Sequence, residues 1–257
     1  MTDKYRVPAL YRANDVLTTL ANHPNQYGLM DLVDLCHSNK STMFTMLYTL
    51  EALGWVIKNK NGTYSLGAKL GIMSAAYFRQ FNLIDAFHQE ALPTVQQVNE
   101  TAQLGILDER SVLYLAKEES MSLVQLVTNP GSRQPAHCTA LGKSLLINVD
   151  YDTLTNLYNE YQFETPTENS ISSIDRLWKE IEAARSNRYS QDLQENVMGF
   201  CCAASPIFND KNQIIASVSL SMTVGNWKSK AKTSKMLVKD LARRISVLAG
   251  YTGDFFD

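Results

Sequence analysis

Residues 27–67 read YGLMDLVDLCHSNKSTMFTMLYTLEALGWVIKNKNGTYSLG, and this pattern predicts two short helices followed by a β-hairpin. The first helix has apolar residues at the spacing of an amphipathic helix, at Leu29, Leu32, Val33 and Cys36. The second has a similar stripe at Met43, Met46, Leu47, Leu50 and Leu53. Between them the His37–Asn39 run offers two N-cap side chains, and Gly54 suits the positive φ that ends a helix.

The hairpin consists of Trp55–Lys58 and Thr63–Leu66, joined by a turn with Asn61-Gly62, a strong hairpin signal. Two helices followed by such a hairpin form a winged helix-turn-helix, whose second helix we predict to enter the major groove of DNA. This recognition helix presents hydroxyls and a cation away from its apolar stripe, at Lys40, Ser41, Thr42, Thr45, Tyr48 and Thr49. The alternative is a solvated helix face in a protein-interaction module.

The composition is that of an ordinary globular protein. The 257 residues are 45% hydrophobic and 19% charged, which supports a sizeable core in one large domain or two small ones. No apolar run approaches the roughly 20 residues that span a bilayer. The N-terminus MTDKYRVPAL lacks the apolar region of a signal peptide, and the four cysteines form no regular framework. We therefore expect a cytoplasmic protein with reduced thiols.

The charge distribution suits a local DNA-binding surface. The net charge of the chain is −2, and residues 1–66 hold six basic and five acidic side chains. Five of the six cations fall in the first predicted helix, at the start of the recognition helix or in the hairpin. Among them Arg12, Lys58 and Lys60 are predicted to contact phosphates. One such module binds DNA weakly, so a dimer is expected.

The Lys40-Ser41-Thr42 run, followed by Leu47, Leu50 and Leu53-Gly54, resembles the recognition helix of the IclR family of bacterial transcriptional regulators. A helix predicted for Tyr5–Asn22 packs behind the other two, as the winged helix-turn-helix requires. The family usually has arginine where Thr45 stands. This difference concerns which operator sequence is read.

Beyond the hairpin, the pattern predicts a linker helix and then a mixed α+β domain. The largely helical stretch from Leu70 to Asn99 is expected to be interrupted near Asn82 and again at Pro93. Strands are predicted at residues 103–107, 111–117, 122–128, 188–193, 201–208 and 214–223, and helices at residues 140–148, 151–161, 174–187 and 230–249. We therefore divide the chain into a DNA-binding domain at 1–67, a linker helix at 68–82 and an antiparallel α+β domain at 83–257.

Three features of the last domain suit a polar ligand. Residues 131–143, GSRQPAHCTALGK, form a loop that turns into a helix, where backbone N–H groups favour anions. Asp192 lies near the end of a predicted strand. On another strand, Ser217, Ser219 and Ser221 alternate with apolar residues, which places three hydroxyls on one face. The alternatives are a water-capped helix start, an exposed Asp and a solvated strand face.

Residues 131–143 and 189–222 also resemble the effector domain of the IclR family, which has a GAF-like fold. The resemblance implies a pocket for a small carboxylate, formed by the backbone amides of Ala140 and Leu141, the side chains of Asp192, Cys202, Ser219 and Ser221, and an apolar wall of Leu123 and Leu126. An Asp beside a carboxylate must accept a hydroxyl proton or be protonated itself, so a hydroxy or keto acid fits. Cys201 stands where the family commonly has arginine, which could change effector preference.

These expectations describe an effector-responsive transcriptional repressor that binds double-stranded operator DNA as a homodimer or a dimer of dimers. Leu104–Asp108 and Gly250-Tyr251 resemble family members that respond to 2-keto-3-deoxygluconate, which suggests a sugar acid as effector. No cofactor, metal or membrane partner is expected, and the protein is not expected to be an enzyme. The alternative is a thiol-dependent GAF-like enzyme, because Cys138, Cys201 and Cys202 fall in the presumed pocket region, with His137 as the nearest histidine in sequence. A metal site built from these four residues is also considered, but their spacing matches no zinc pattern.

Overall fold

The computed structural model describes residues 7–121 and 128–257, apart from the side chains of residues 78–80. The chain divides into two compact units, at residues 1–80 and 81–257. The boundary falls near the end of the predicted linker helix at 68–82, and the three domain limits given above stay predictions. The strand predicted for residues 122–128 and the wall residues Leu123 and Leu126 lie outside the described residues, apart from Thr128.

The first unit is built of helices and one hairpin. Its helices are α1 (Pro8–Asn22), α2 (Leu29–Leu35), α3 (Lys40–Ala52) and α4 (Ala68–Gln80), and its strands are β1 (Val56–Lys58) and β2 (Tyr64–Leu66). The strands pair antiparallel, with Ile57 opposite Ser65. The winged helix-turn-helix architecture predicted from the sequence is confirmed.

Local signals set the limits of α3 and the hairpin. The side chain of Asn39 caps α3 by accepting a hydrogen bond from the Thr42 backbone N–H at 2.8 Å. Gly54 ends the helix with a φ of 72°, and Gly62 turns the hairpin with a φ of 86°. The apolar stripe of α3 is narrower than predicted, because Leu53 is half exposed, whereas Met43, Leu47 and Leu50 are buried.

The second unit contains an antiparallel sheet in the order β5-β4-β3-β8-β7-β6. Its strands are β3 (Thr101–Asp108), β4 (Ser111–Glu118), β5 (Arg133–Pro135), β6 (Ser190–Leu193), β7 (Phe200–Phe208) and β8 (Ile214–Thr223). Its helices are α5 (Leu83–Val98), α6 (Ala140–Leu145), α7 (Tyr151–Leu157), α8 (Ile174–Asn187) and α9 (Val224–Leu248), with a 3-10 turn at Ala136–Cys138. The predicted α+β class is confirmed.

Several predicted helix limits are wrong. The helices predicted to end at residues 148 and 161 end at Leu145 and Leu157, and two further differences have a local cause. Pro93 lies inside α5 and does not interrupt it. Both Pro93 and Gln89, whose carbonyl loses its helical donor, are exposed, so water can replace the missing bond. The last helix begins at Val224, six residues before the predicted Lys230, because the Thr223 side chain caps it by accepting from the Asn226 N–H at 3.3 Å.

The two faces of β8 pack against different layers. Val218, Leu220 and Met222 lie in a core shared with α5 and α9. The opposite face carries the three serines, which are buried under the layer that contains α6, since Ser217 donates to Ser144 of α6 at 2.9 Å. The solvated strand face considered as an alternative is therefore wrong.

A buried ion pair joins α6 to the loop after β6. Lys143 is fully buried, and its Nζ lies 2.7 Å from both carboxylate oxygens of Glu195. Gly142 beside it leaves room for the 3-10 turn, since a Cβ there would come within 2.1 Å of the Ala136 carbonyl oxygen. Close packing and charge pairing thus account for the Gly142-Lys143 dipeptide.

Replacing Lys143 with Met is expected to destabilise the protein by about 3–5 kcal/mol, because Glu195 would keep a buried charge without its partner. This loss of stability is expected above the ordinary pKa of glutamate, where the Glu195 carboxyl is ionised in the unfolded chain. It disappears as the pH falls below that value. Burial already raises the pKa of Glu195. Urea unfolding at about pH 8 and about pH 4 measures both effects.

The double variant Lys143→Met/Glu195→Leu is the matched control. It should recover most of the lost stability, because replacing both partners of a buried pair by apolar groups is often neutral. Wild-type stability of the single variant at the higher pH would contradict this account of the ion pair.

Candidate functional site

Cross-strand pairing brings together the polar residues predicted for the pocket. Asp192 of β6 lies opposite Cys202 of β7, which lies opposite Ser221 of β8. Ser219 lies two residues along β8, on the same face, and pairs with Gln103 of β3. Carboxyl, thiol and hydroxyl groups therefore form one polar patch on the buried face of the sheet.

A small cavity lies between this patch and the start of α6. Its volume is about 10 Å³, room for about one water molecule, and it is lined by Gln103, Tyr114, Thr139, Ala140, Leu141, Asp192, Asn196, Cys202 and Ser219. Five of these residues were predicted from the sequence. Ser221 lies beside the cavity rather than in its lining. Sequence reasoning missed Gln103, Tyr114, Thr139 and Asn196; a helix N-cap signal could have indicated only Thr139.

The hydrogen bonds around the cavity leave one hydroxyl unused. The Cys202 thiol donates to Ser221 Oγ at 3.2 Å, and Ser221 donates to Gln103 Oε1 at 3.0 Å. Gln103 Nε2 in turn donates to Thr128. Ser219 Oγ is buried and has no hydrogen-bond partner among the described residues. An unpartnered buried hydroxyl costs about 1–3 kcal/mol, so this group is available to a polar ligand.

The first turn of α6 borders the same cavity. Thr139 caps the helix, because its side chain accepts from the Gly142 N–H at 3.0 Å and its carbonyl from the Lys143 N–H at 3.1 Å. The N–H groups of Ala140 and Leu141 precede these and have no acceptor within the helix. Both residues line the cavity, and a role for their amides in binding an anion stays a prediction.

Asp192 is a buried carboxyl group in the lining of the cavity, and its pKa is raised. It is almost fully buried, and its Oδ1 accepts the Glu195 backbone N–H at 2.6 Å. Burial and then the nearby charge of Glu195 raise the pKa of Asp192 to about 7, although the backbone hydrogen bonds and Lys143 oppose the shift. At neutral pH this side chain can therefore hold a proton or release it.

The cysteines lack the activation that a catalytic thiol needs. Burial, followed by the charge of Asp192, raises the pKa of Cys138 to about 12 and that of Cys201 to about 11. The same causes raise the pKa of Cys202 well above its usual value. A thiolate needs a neighbouring cation or base, whereas carboxyl groups surround these thiols. All three are therefore protonated at neutral pH.

His137 is held in place through one ring nitrogen, while its buried Nδ1 has no hydrogen-bond partner among the described residues. Its Nε2 lies 2.8 Å from the Glu164 carbonyl oxygen, and its ring packs edge-on against Tyr158, Tyr161 and Phe163. Desolvation by burial lowers its pKa. Across the described ranges, 7–121 and 128–257, no three His, Cys, Asp or Glu side chains are grouped to hold a metal ion.

The first unit exposes most of the residues predicted to contact DNA. Lys40, Ser41 and Thr45 are exposed on α3, and Lys58 and Lys60 are exposed in the hairpin. Arg12 is half buried, and it lines a groove between α1 and α3 together with Ser41, Thr42 and Thr45. Sequence reasoning missed Phe44, whose side chain is 59% exposed on α3 next to that of Tyr48. A hydrophobic residue outside the apolar stripe was the available signal.

None of the three predicted cations of α3 and the hairpin forms an ion pair within the part of the chain that the structure describes. Lys58 instead lies 5.9 Å from the centre of the Tyr64 ring. Lys40 and Lys60 are therefore free to meet phosphates without first losing an acidic partner.

The described residues include no helix that is long and apolar enough to cross a membrane.

Comparison with known proteins is consistent with the two units. Residues 9–59 match the IclR helix-turn-helix domain, and residues 75–247 match the C-terminal domain of bacterial IclR transcriptional regulators.

Individual relatives agree with this match. The chain is 29% identical to the HTH-type transcriptional regulator KdgR of Escherichia coli over 228 residues, which cover 88% of this chain and 87% of KdgR. It is 26% identical to the E. coli repressor AllR over 216 residues, 82% of this chain and 78% of AllR. The solved structure of the Agobacterium tumefaciens repressor BlcR superposes with a TM-score of 0.85 at 21% identity, covering 96% and 99% of the two chains. The chain therefore belongs to the IclR family of bacterial transcriptional regulators, which are DNA-binding proteins and not enzymes.

Proposed function

We propose that this regulator represses a catabolic operon and responds to a small keto or hydroxy acid, a sugar acid among the candidates, bound in the cavity of the second unit. The unpartnered Ser219 hydroxyl in that buried polar cavity carries the proposal, because a ligand oxygen would satisfy it. The E. coli relative AllR is named a repressor. The 29% identity to KdgR supports the resemblance to the family members that respond to 2-keto-3-deoxygluconate. We further propose a cytoplasmic homodimer or dimer of dimers on a pseudo-palindromic operator.

The exposed end of α3 supports a role in reading bases. Lys40 and Ser41 lie in the first turn of the helix, and Thr45 follows one turn later on the same side as Ser41. The Thr45 hydroxyl donates to the Ser41 carbonyl at 3.0 Å, which leaves its methyl group and its oxygen lone pairs facing outward. Thr42 is half buried, and its backbone N–H is used by the Asn39 cap, so its part is smaller than that of Lys40.

Replacing Lys40 with Ala should reduce operator affinity by about 1–3 kcal/mol, because the residue is placed to contact a base edge or a phosphate at the groove. Folding should barely change, since Lys40 is exposed. Titration of operator duplex at fixed salt gives the affinity. Lys211→Ala, in the exposed turn between β7 and β8, is the matched control. An unchanged affinity for Lys40→Ala would exclude this residue from the interface.

Replacing Lys60 with Ala should weaken binding to all DNA sequences alike, because the hairpin is proposed to contact the phosphate backbone. The plot of log affinity against log salt concentration should lose about 0.9 in slope for the one contact removed. Preference between operator and mutated operator should persist. A relaxed preference at one base pair with an unchanged salt slope would instead make Lys60 a base-reading residue.

The chemistry of the cavity supports the class of effector. Two backbone amides and one hydroxyl can donate to a carboxylate, while Asp192 and Gln103 offer groups for a second oxygen of the same molecule. A carboxylate with an adjacent keto or hydroxyl oxygen supplies both. The cavity has room for about one water molecule in this structure, so binding any of these acids requires the surrounding residues to move apart.

Ser219→Ala should weaken effector binding by roughly tenfold to a hundredfold, because one hydrogen bond to an ionised ligand is lost. Effector-free operator binding should be unchanged. Calorimetry with a panel of keto and hydroxy acids measures the affinity. Ser221→Ala should also weaken binding, although it breaks the bonds to Cys202 and Gln103 as well.

Ser217→Ala is the matched control, because Ser217 is buried on the same face of β8 but lies outside the cavity and bonds to Ser144 and the Ser205 carbonyl. It should leave effector affinity unaltered. An acid that binds equally well to wild type, Ser219→Ala and Ser221→Ala would show that the effector lies elsewhere.

A further inference from the structure

Asp192 in the wall of the cavity and the ion pair behind it contain more buried carboxyl groups than buried cations. Asp192 and Glu195 are both nearly buried, and both face Lys143, which is fully buried. Glu195 already uses this ammonium with both of its oxygens at 2.7 Å. If both carboxyl groups were ionised, the three side chains would carry a net charge of −1 before any ligand entered.

No other group near Asp192 supplies the missing positive charge. The titratable groups that face it from the elements packed around it are Tyr114 of β4, Cys138 of the 3-10 turn, Lys143 of α6, Glu195 of the following loop, and Cys201 and Cys202 of β7. The tyrosine and the thiols are neutral near pH 7, because burial raises the pKa of each. Among the described residues, Lys143 is thus the single cation available to this group.

A ligand carboxylate would add a second unbalanced negative charge to a buried site. Desolvation makes such a charge expensive unless a cation or a proton compensates for it. The Ser219 hydroxyl and the two α6 amides donate hydrogen bonds but bring no full charge. Since Asp192 lines the cavity and is the carboxyl without a cation of its own, it is the group that can neutralise the excess.

We propose that the cavity binds a monoanionic carboxylic acid together with one proton from solution. Asp192 holds this proton and donates it in a hydrogen bond to the ligand. Dianionic acids are thereby excluded. This inference rests on the proposed function, in which a small acid occupies the cavity. It makes Asp192 a specificity-determining residue that acts as a hydrogen-bond donor in its protonated form. In the alternative role, an ionised Asp192 accepts a hydrogen bond from a ligand hydroxyl.

The acidity of Asp192 agrees with proton uptake near neutral pH. Its pKa of about 7 means that little free energy is needed to protonate it there. Because the protonated form is the one that binds, affinity is full below this pKa and falls as the pH rises through it. Between about pH 6 and about pH 8 the affinity for a monoanion should fall roughly tenfold, and the number of protons taken up should rise from near zero to nearly one.

Calorimetry of the full chain in buffers with different ionisation enthalpies tests both parts of the proposal. The probes are pyruvate with ketomalonate and lactate with tartronate, since each dianion has a carboxylate where the monoanion has a methyl group. We expect at least one monoanion to bind with uptake of nearly one proton at about pH 8, and its dianion to bind at least a hundredfold more weakly, because the added charge has no compensating cation.

Asp192→Asn separates the two roles, because its neutral amide can donate to a carboxylate but cannot be ionised. Under the proposal this variant binds the monoanion without proton uptake, and its affinity does not change with pH. Asp108→Asn, at an exposed carboxyl paired with Arg133, is the matched control and keeps the wild-type proton uptake. Unchanged urea unfolding of the full chain shows that both variants are folded.

The outcomes are distinguishable. A monoanion that binds wild type without proton uptake at about pH 8, or a dianion that binds as tightly, overturns this inference while leaving the proposed effector site intact. Loss of monoanion binding in folded Asp192→Asn would likewise overturn it, in favour of the ionised role. If none of the four acids binds, this inference is overturned for three-carbon acids, while the larger acids of the proposed effector class are decided by the calorimetric panel.

Discussion

The second unit depends on the position of β8 between β3 and β7. Because side chains alternate along a strand, its apolar residues form the core with α5 and α9 while its serines face α6. A shift of one residue in register would move Val218 and Leu220 to the cavity and Ser219 to the core, which would leave hydroxyls unpaired in an apolar layer. The same alternation therefore stabilises the fold and provides the polar wall of the cavity.

The Lys143–Glu195 pair extends this arrangement to the opposite wall. Lys143 lies on α6, whose first amides border the cavity, and Glu195 lies in the loop that supplies the backbone N–H bound to Asp192. One buried ion pair thus holds both the backbone donors and the carboxyl group in place. The same pair leaves Asp192 without a cation, and this deficit favours a ligand that brings only one negative charge.

In the first unit, the limits of the elements are set by interactions a few residues apart. The Asn39 cap acts over three residues, and Gly54 and Gly62 each favour a positive φ through their own lack of a Cβ. Local interactions of this kind are visible in a single sequence. The winged helix-turn-helix could therefore be predicted nearly to the residue, whereas the exposure of Leu53 and Phe44 followed from how the helices pack.

The sequence by itself determined the fold class and, through recognisable motifs, five of the residues that line the cavity, Ala140, Leu141, Asp192, Cys202 and Ser219. Periodicity, caps and turn residues act locally, and the motifs identified the family. Only the tertiary structure showed that Pro93 is tolerated on an exposed helix face and that Gln103, Tyr114 and Asn196 reach the cavity. It also decided which of the paired serines is left unpartnered and which carboxyl group takes the single ammonium. These properties depend on strand register and on burial among residues distant in the chain, which local patterns do not encode.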